Sequence, residues 1–458
     1  MSMQRGSAPV SPVSGTGLTW ARSALLVVAG VIALMGSAVA QRVAIRAGTV
    51  VDPAAGRTGG PQVIVVDSGR IVAAGPDVTI PPGATVIDLS DMVVMPGLFD
   101  AHTHLTAAYD PAVTKLREYT IAVSTAERAL QGVVNGWEML STGFTTVRDL
   151  GNAGNYADAA LATFFGNGDG RRAAIYGSAV LSGLTLYGHR PVGPTIVYAG
   201  KIISPFGGQF QLSPEQEDIG RQDYIYADTR DQLREAVRHN IHYGATWIKL
   251  TVDDYPYHYS ADDIRFVVAE AALAGVRVTT HCVTDAGARA AIEAGVASIE
   301  HGYAMSDETL ALAKKQGVVL VGTEPAGTWI TRFGKTDEDA RIVDRLRRAY
   351  RIGTQLVFGS DIVRAPPGYS RGDVSLSVID SWVEAGIPAA DILRAMTTSA
   401  AALLGMEHQR GAIKPGYAAD IIATRASPLA DINNLKQVVF VMKGGVVFRS
   451  DPAKSIPR

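Results

Sequence analysis

Between about Leu98 and Met406 the sequence repeats one texture: a short β-branched run, a loop, then an apolar pattern of helical period. Repetition of this kind dictates parallel sheet, because parallel neighbours can be joined only through a long crossover, usually a helix. Eight runs qualify as strands: Gly97–His102, Thr145–Asp149, Ala173–Gly177, Thr246–Leu250, Arg277–His281, Ala297–His301, Gly317–Val321 and Gln355–Asp361. Helical patterns such as Ala261 to Ala274 and Thr284 to Ala294 lie between most of them. The chain is therefore expected to be α/β, and eight strand–helix units favour a (β/α)8 TIM barrel over an open sheet. The stretch from Leu181 to about Asp228, rich in Gly, Pro and Tyr, is too long for an ordinary connection and is expected to cover a site.

The two ends have a different texture. Val43 to Met95 and Ala419 to Phe448 consist of short β-branched runs separated by Gly, Pro and Asp, each too few for an independent core. They are expected to combine into one small composite β-sandwich domain, residues 41–96 with 407–458, around a barrel over 97–406. Residues 1–40 carry Arg5 and Arg22, no acidic residue, an apolar run from Ala24 to Met35 and the small-residue end Gly36–Ala40. That is the pattern of a signal peptide cleaved near Ala40, and the run is short for a membrane anchor, which needs about 20 apolar residues. The mature protein is expected to be periplasmic or secreted, without stable membrane insertion.

Charge narrows the partners. Lys+Arg 42 against Asp+Glu 44 leaves no positive excess to neutralise a phosphate backbone, so nucleic acid is not an expected partner. The single cysteine, Cys282, excludes an internal disulfide and a multi-thiolate zinc site. Any metal must be held by His, carboxylates or a less ordinary group.

His102-Thr103-His104 closes the first expected strand, and residues i and i+2 of a strand share a face. His281 closes the fifth, His301 the sixth and Asp361 the eighth, while Lys249 lies near the end of the fourth. In a (β/α)8 barrel these strand ends meet at one mouth, where active sites are built. His239, His242 and His408 fall in helical or loop stretches and are expected to be solvated. An ammonium at Lys249, among Trp247, Ile248 and Leu250, is costly unless neutralised or paired. It either forms a salt bridge, for example to Asp361, or adds carbon dioxide to become a carbamate able to bridge two cations.

The segments Val94–His104, Lys249, His281, Ile299–Gly302, Gly359–Asp361 and the closing Gly411–Gly416 with Ala419-Asp420 together resemble the amidohydrolase superfamily of metal-dependent hydrolases. Within it the chain resembles the imidazolonepropionase-like branch, which includes Xaa-Pro dipeptidases, related carboxypeptidases and ochratoxin-hydrolysing amidases. The resemblance implies that His102, His104 and Asp361 bind one ion, that His281 and His301 bind a second, and that carboxylated Lys249 bridges them. Zinc is the default for such ligands, with Mn or Co able to substitute. Two cations lower the pKa of a bridging water and so supply hydroxide, with Asp361 passing its proton to the leaving amine.

The same resemblance suggests that His189, on the long third loop, hydrogen-bonds the scissile carbonyl, although Arg190 follows it where relatives often carry Gly. Tyr255, Tyr257 and His258 follow Lys249 and are expected to border the mouth. Arg148, Arg190, Arg332 and Arg364 are candidates for clamping a substrate carboxylate. Cys282 is expected to be a small core residue. The implied activity is hydrolysis of the amide bond of a dipeptide, Xaa-Pro-like, or of an N-acyl amino acid, by a homo-oligomer. Hydrolysis of cyclic amides, lactones or esters is the competing chemistry, and a non-catalytic binding or structural homologue is disfavoured because all six ligand positions are filled.

Overall fold

The computed structural model describes residues 42–108, 116–151, 153–166, 191–209, 212–254 and 257–451. The leader, the strand expected at Ala173–Gly177, and His189, Arg190 and Tyr255 lie outside the described residues.

The chain begins with β1 (Val43–Asp52), β2 (Arg57–Gly59), β3 (Gln62–Asp67), β4 (Arg70–Gly75) and β5 (Thr85–Pro96). Asp67 pairs with Arg70, so a two-residue loop joins β3 to β4. Both of its residues, Ser68 and Gly69, take positive φ (50° and 78°), the backbone that lets a hairpin keep its right-handed twist. β1 runs antiparallel to β3 and parallel to β5.

The central region is α/β with parallel sheets. β6 (Leu98–Thr103), β7 (Phe144–Asp149) and β8 (Thr195–Tyr198) form one group. β9 (Ile202–Ser204), β10 (Tyr224–Tyr226), β11 (Trp247–Thr251), β12 (Arg277–Cys282), β13 (Ser298–His301) and β14 (Val319–Val321) form another, in the order β10-β9-β11-β12-β13-β14. Helices between them bury one stripe each. In Ala261–Ala272, Ile264, Val267 and Ala271 face inward at near-helical spacing, and Ser260 caps the first turn by accepting the Asp263 N–H. Asp285–Ala294 and Asp307–Gln316 end on Gly295 and Gly317 in the left-handed conformation that glycine tolerates.

Residues 355–361, expected as the eighth strand, are not regular strand, but their backbone is bonded on both sides. Val357 N donates to Leu320 O (3.1 Å), Ala101 N to Phe358 O (2.9 Å), and Asp361 N to His102 O (2.8 Å). A Cβ on Gly359 would lie 2.4 Å from the Val321 side chain and 2.9 Å from His102 Cβ, so glycine is what lets this segment approach so closely. Thr246 N donates to Tyr198 O (3.1 Å), linking β8 to the start of β11.

The C-terminal strands β15 (Ile421–Thr424), β16 (Val438–Lys443) and β17 (Val446–Ser450) return to the N-terminal ones. The ends do combine, in one mixed eight-stranded sheet, β17-β16-β15-β5-β1-β3-β4 with β2 beside β1, which folds so that Ile45, Ile64 and Ile71 share a core with Phe440 and Met442 and β4 bonds back to Tyr417. The 12-residue β5 is long enough to pair along β1 and, at Val93–Pro96, along β15. Alternation gives its end two buried faces: Met92 and Val94 pack with Ile45, Ile64 and Phe440, whereas Val93 and Met95 join the cluster containing Leu140 and Phe144. Buried Lys443 Nζ donates to Asp420 Oδ2 (2.8 Å) and to Thr195 Oγ1 (2.7 Å), tying this sheet to β8. Among the described residues no helix is long and apolar enough to cross a membrane.

Candidate metal centre

The C-terminal ends of β6, β12 and β13 and the segment ending at Asp361 bring four imidazoles and a carboxylate together. The rings of His102 and His104 are 5.2 Å apart, those of His102 and His301 5.2 Å, and those of His281 and His301 4.4 Å. Asp361 Oδ1 lies 3.0 Å from His104 Nε2 and 3.4 Å from His102 Nε2. Ligand atoms of His102, His301 and Asp361 all fall within 4.8 Å of one another, a spacing that one metal ion can span.

Strand alternation explains part of this arrangement. Register pairs Thr251 with His281 and His281 with Glu300, so these three share the face on which Lys249, Thr279 and Ser298 also lie. With Glu300 on that face, regular geometry would turn His301 away. A positive φ of 70° at His301 breaks the alternation and returns its imidazole to the cluster. Asp361 (55°), Thr323 (50°) and Asp254 (87°) share this left-handed backbone, which is costly for side chains other than glycine and concentrates at functional sites.

Buried hydrogen bonds set the imidazole faces. His102 Nδ1 is 2.7 Å from Glu300 Oε2, and His104 Nδ1 is 2.9 Å from the Gly151 carbonyl. In both rings Nε2 is thereby left toward Asp361. His301 Nδ1 is 2.8 Å from Thr323 Oγ1. His281 Nε2 is buried and, among the described residues, without a hydrogen bond, facing Asp254 Oδ2 at 3.5 Å. An orphaned imidazole nitrogen, together with ring nitrogens oriented by outer partners, is a donor set that suits divalent cations.

The charges are arranged to match. Burial lowers the His102 pKa to about 4, with Lys249 adding to the effect, so its ring is a neutral donor near pH 7. Burial and the neighbouring His281 also hold His301 well below the usual range. Burial works against the Asp361 charge, but His102, His104 and His301 outweigh it and keep the carboxyl ionised. Burial brings Lys249 down to about 8 against the pull of Glu300 and Asp361. Its side chain forms no ion pair or hydrogen bond among the described residues, so the alternative of a salt bridge to Asp361 is not realised.

Two carboxylates that sequence reasoning left without a role support the centre. Glu300 is fully buried; Oε1 accepts from Arg148 Nη2 (2.7 Å) and Ser298 Oγ (2.9 Å), and it also bonds Thr279. Burial opposes its charge, but Arg148 and His102 hold it well below the usual carboxylate range. Asp100 Oδ1 accepts the N–H groups of His102 (3.1 Å) and Ser360 (3.0 Å), fixing the two strand ends that carry ligands. Their one visible signal was a carboxylate inside an apolar strand run.

Arg148, expected to hold a substrate carboxylate, is instead fully buried, paired with Glu300 and stacked 4.6 Å over the Trp247 ring. A buried Glu300 must be matched by a cation, and β7 supplies it across the interior. Arg364 lies 3.9 Å over the Trp329 ring, and Arg332 is 5.6 Å from that of Phe333. Tyr257 is 71% exposed and His258 is exposed. No hydrogen bond, ion pair or ring contact among the described residues ties either to the imidazole cluster. His239 and His242 lie in the helix Arg230–His242, and the His408 side chain is 90% exposed, all away from the centre. Cys282 is buried, and burial pushes its thiol far above the usual range, in keeping with a core residue.

Parallel sheets whose ends gather imidazoles and an ionised Asp define a candidate centre for a divalent cation. Residues 93–448 match the model of the amidohydrolase family, and the chain belongs to that family. It is similar to ochratoxinase from Aspergillus niger, at 28% identity over 384 residues covering 78% of this chain and 76% of that protein. Among solved structures it superposes on a Xaa-Pro dipeptidase with methionine bound in its active site, with TM-score 0.74, 27% identity and coverage of 90% of this chain and 100% of the other. A prolidase complexed with N-methylphosphonate-L-proline gives TM-score 0.73 at 25% identity, with the same coverage.

Proposed function

We propose that the protein is an exported, binuclear amidohydrolase that cleaves the amide bond of Xaa-Pro-like dipeptides or of N-acyl amino acids such as ochratoxin-type amides. The two parallel strand groups and the segment 355–361 are read as one closed (β/α)8 barrel, a reading supported by the bonds of residues 355–361 to both β14 and β6. The observation that carries the function is the convergence of His102, His104, His281, His301 and Asp361 beside a buried Lys249 that has no ion pair among the described residues. His102, His104 and Asp361 would hold one ion and His281 and His301 the other, with Lys249 as the carbamate between them. Divalent ions held there, zinc by default, supply Lewis acidity that polarises a carbonyl oxygen and makes water a nucleophile near neutral pH.

The chain's own part is orientation and proton transfer. Glu300 and the Gly151 carbonyl fix two imidazoles so that their Nε2 atoms converge. Asp361, ionised and hydrogen-bonded to His104, is placed to take a proton from the attacking water and give it to the leaving amine. Substrate choice follows from the likeness to ochratoxinase and the Xaa-Pro dipeptidase. His189, Tyr255, Tyr257, His258 and Arg364 remain the candidates for holding the substrate. The test is a kinetic panel of Xaa-Pro dipeptides, N-acyl-phenylalanines and lactones on purified protein with added zinc. Turnover of one of the first two classes is expected, and turnover of lactones alone would overturn the amide assignment.

A further inference from the structure

In the binuclear reading, on which this inference rests, the His102 side of the centre has Asp361 as its own anion, while the His281 side has only a shared carbamate. We propose that Asp254, on the loop after β11, is a further carboxylate ligand on the His281 side. Donor atoms that share one ion at roughly 2.0–2.2 Å each lie about 3–3.5 Å apart. Asp361 Oδ1 meets that spacing against His104 Nε2 (3.0 Å) and His102 Nε2 (3.4 Å). Asp254 Oδ2 meets it against His281 Nε2 at 3.5 Å, and that nitrogen is buried and otherwise without a hydrogen bond.

The local backbone is built for this placement. The preceding Asp253 is committed elsewhere: its carboxylate accepts from Val283 N (2.8 Å), Thr284 N (2.9 Å) and Thr284 Oγ1 (2.6 Å). A φ of 87° at Asp254 then turns its carboxylate toward His281. Buried Tyr224 fixes the last contact. Its hydroxyl donates to Gln209 Oε1 (2.7 Å), which leaves the Gln209 amide N–H to donate to Asp254 Oδ2 at 3.3 Å. Among the described residues no Lys or Arg pairs with Asp254, whose carboxylate meets only Gln209 and His281 there.

Asp254→Asn is the informative variant, because Asn also adopts the left-handed backbone and can still accept from Gln209. Metal-stripped wild type and variant are titrated with zinc ion, with calorimetry and elemental analysis giving stoichiometry, and circular dichroism checking the fold. Wild type is expected to take two equivalents. The variant should keep the first and bind the second at least about tenfold more weakly, since even an outer-shell partner is worth that much. Gln209→Leu, which leaves the carboxylate but removes its tether, should weaken the second equivalent by a smaller factor. Two equivalents bound by Asp254→Asn at wild-type affinity would overturn the ligand role and, if turnover alone fell, place Asp254 on the substrate. A single equivalent in saturated wild type would overturn the binuclear reading and this ligand with it.

Discussion

In the proposed binuclear reading, the two halves of the centre are held by different means. On the His102 side every ligand has a buried outer partner: Glu300 for His102, the Gly151 carbonyl for His104, and the His102 carbonyl for the Asp361 backbone. On the His281 side His301 Nδ1 also has a buried partner, Thr323 Oγ1, but His281 Nε2 has no hydrogen bond among the described residues, and its nearest anion sits on a half-exposed loop tethered by one glutamine. Buried partners thus orient both imidazoles of the first half, whereas in the second they orient His301 and leave His281 facing Asp254.

Several variants press on that contrast. The largest effect is expected from Asp361→Asn, which removes the proton carrier from the rigid half. Turnover should fall by about 10²–10⁴-fold with the circular dichroism spectrum unchanged. Near-normal turnover would remove Asp361 from the chemistry.

Glu300→Gln attacks the rigidity itself. Breaking a buried pair with Arg148 should cost about 3–5 kcal/mol of stability, seen as a lower Tm. The affinity for the first zinc equivalent should drop about 10–100-fold. The folded-state pKa of Glu300 lies below its unfolded value, so its contribution to stability is complete above about pH 4.3 and is lost as pH falls below that. The Gln variant should therefore show a flatter acid limb. An unchanged Tm, affinity and acid limb would show that the first half does not depend on this carboxylate.

Lys249 acts through its charge on both His102 and His301, and the pH response of its amine is the smallest and most graded effect. With its pKa lowered to about 8, the neutral amine rises from roughly a tenth of the population at pH 7 to about nine-tenths at pH 9. Reactivation of metal-stripped protein at fixed dissolved carbon dioxide should accelerate about ninefold over that interval. Lys249→Ala should be inactive and partly rescued by short-chain carboxylic acids. A flat pH response together with no rescue would argue against the carbamate.

Much of this was legible in the primary structure. The candidate ligands sit at the ends of apolar runs, where parallel order gathers them at one end of the sheets, and the apolar runs at both termini announce a shared β unit. What was hidden depends on the third dimension. Arg148 reads as a free guanidinium until β7 and β13 are placed across one interior, where Glu300 neutralises it. The left-handed turns at His301 and Asp361 belong to residue types that rarely adopt them, so no local propensity announces them. That the terminal runs also join edge to edge in one sheet depends on the length of β5, which pairs with β1 along one edge and with β15 along the other.

That edge has a consequence for how the chain is made. β5 pairs with β1 on one side and with β15 on the other, so a nascent chain leaving the ribosome carries an unpaired β5 edge until the residues beyond Ile421 emerge. An open strand edge is a template for pairing with another molecule. A product truncated before Ile421 should therefore aggregate or be degraded rather than persist as a weak enzyme.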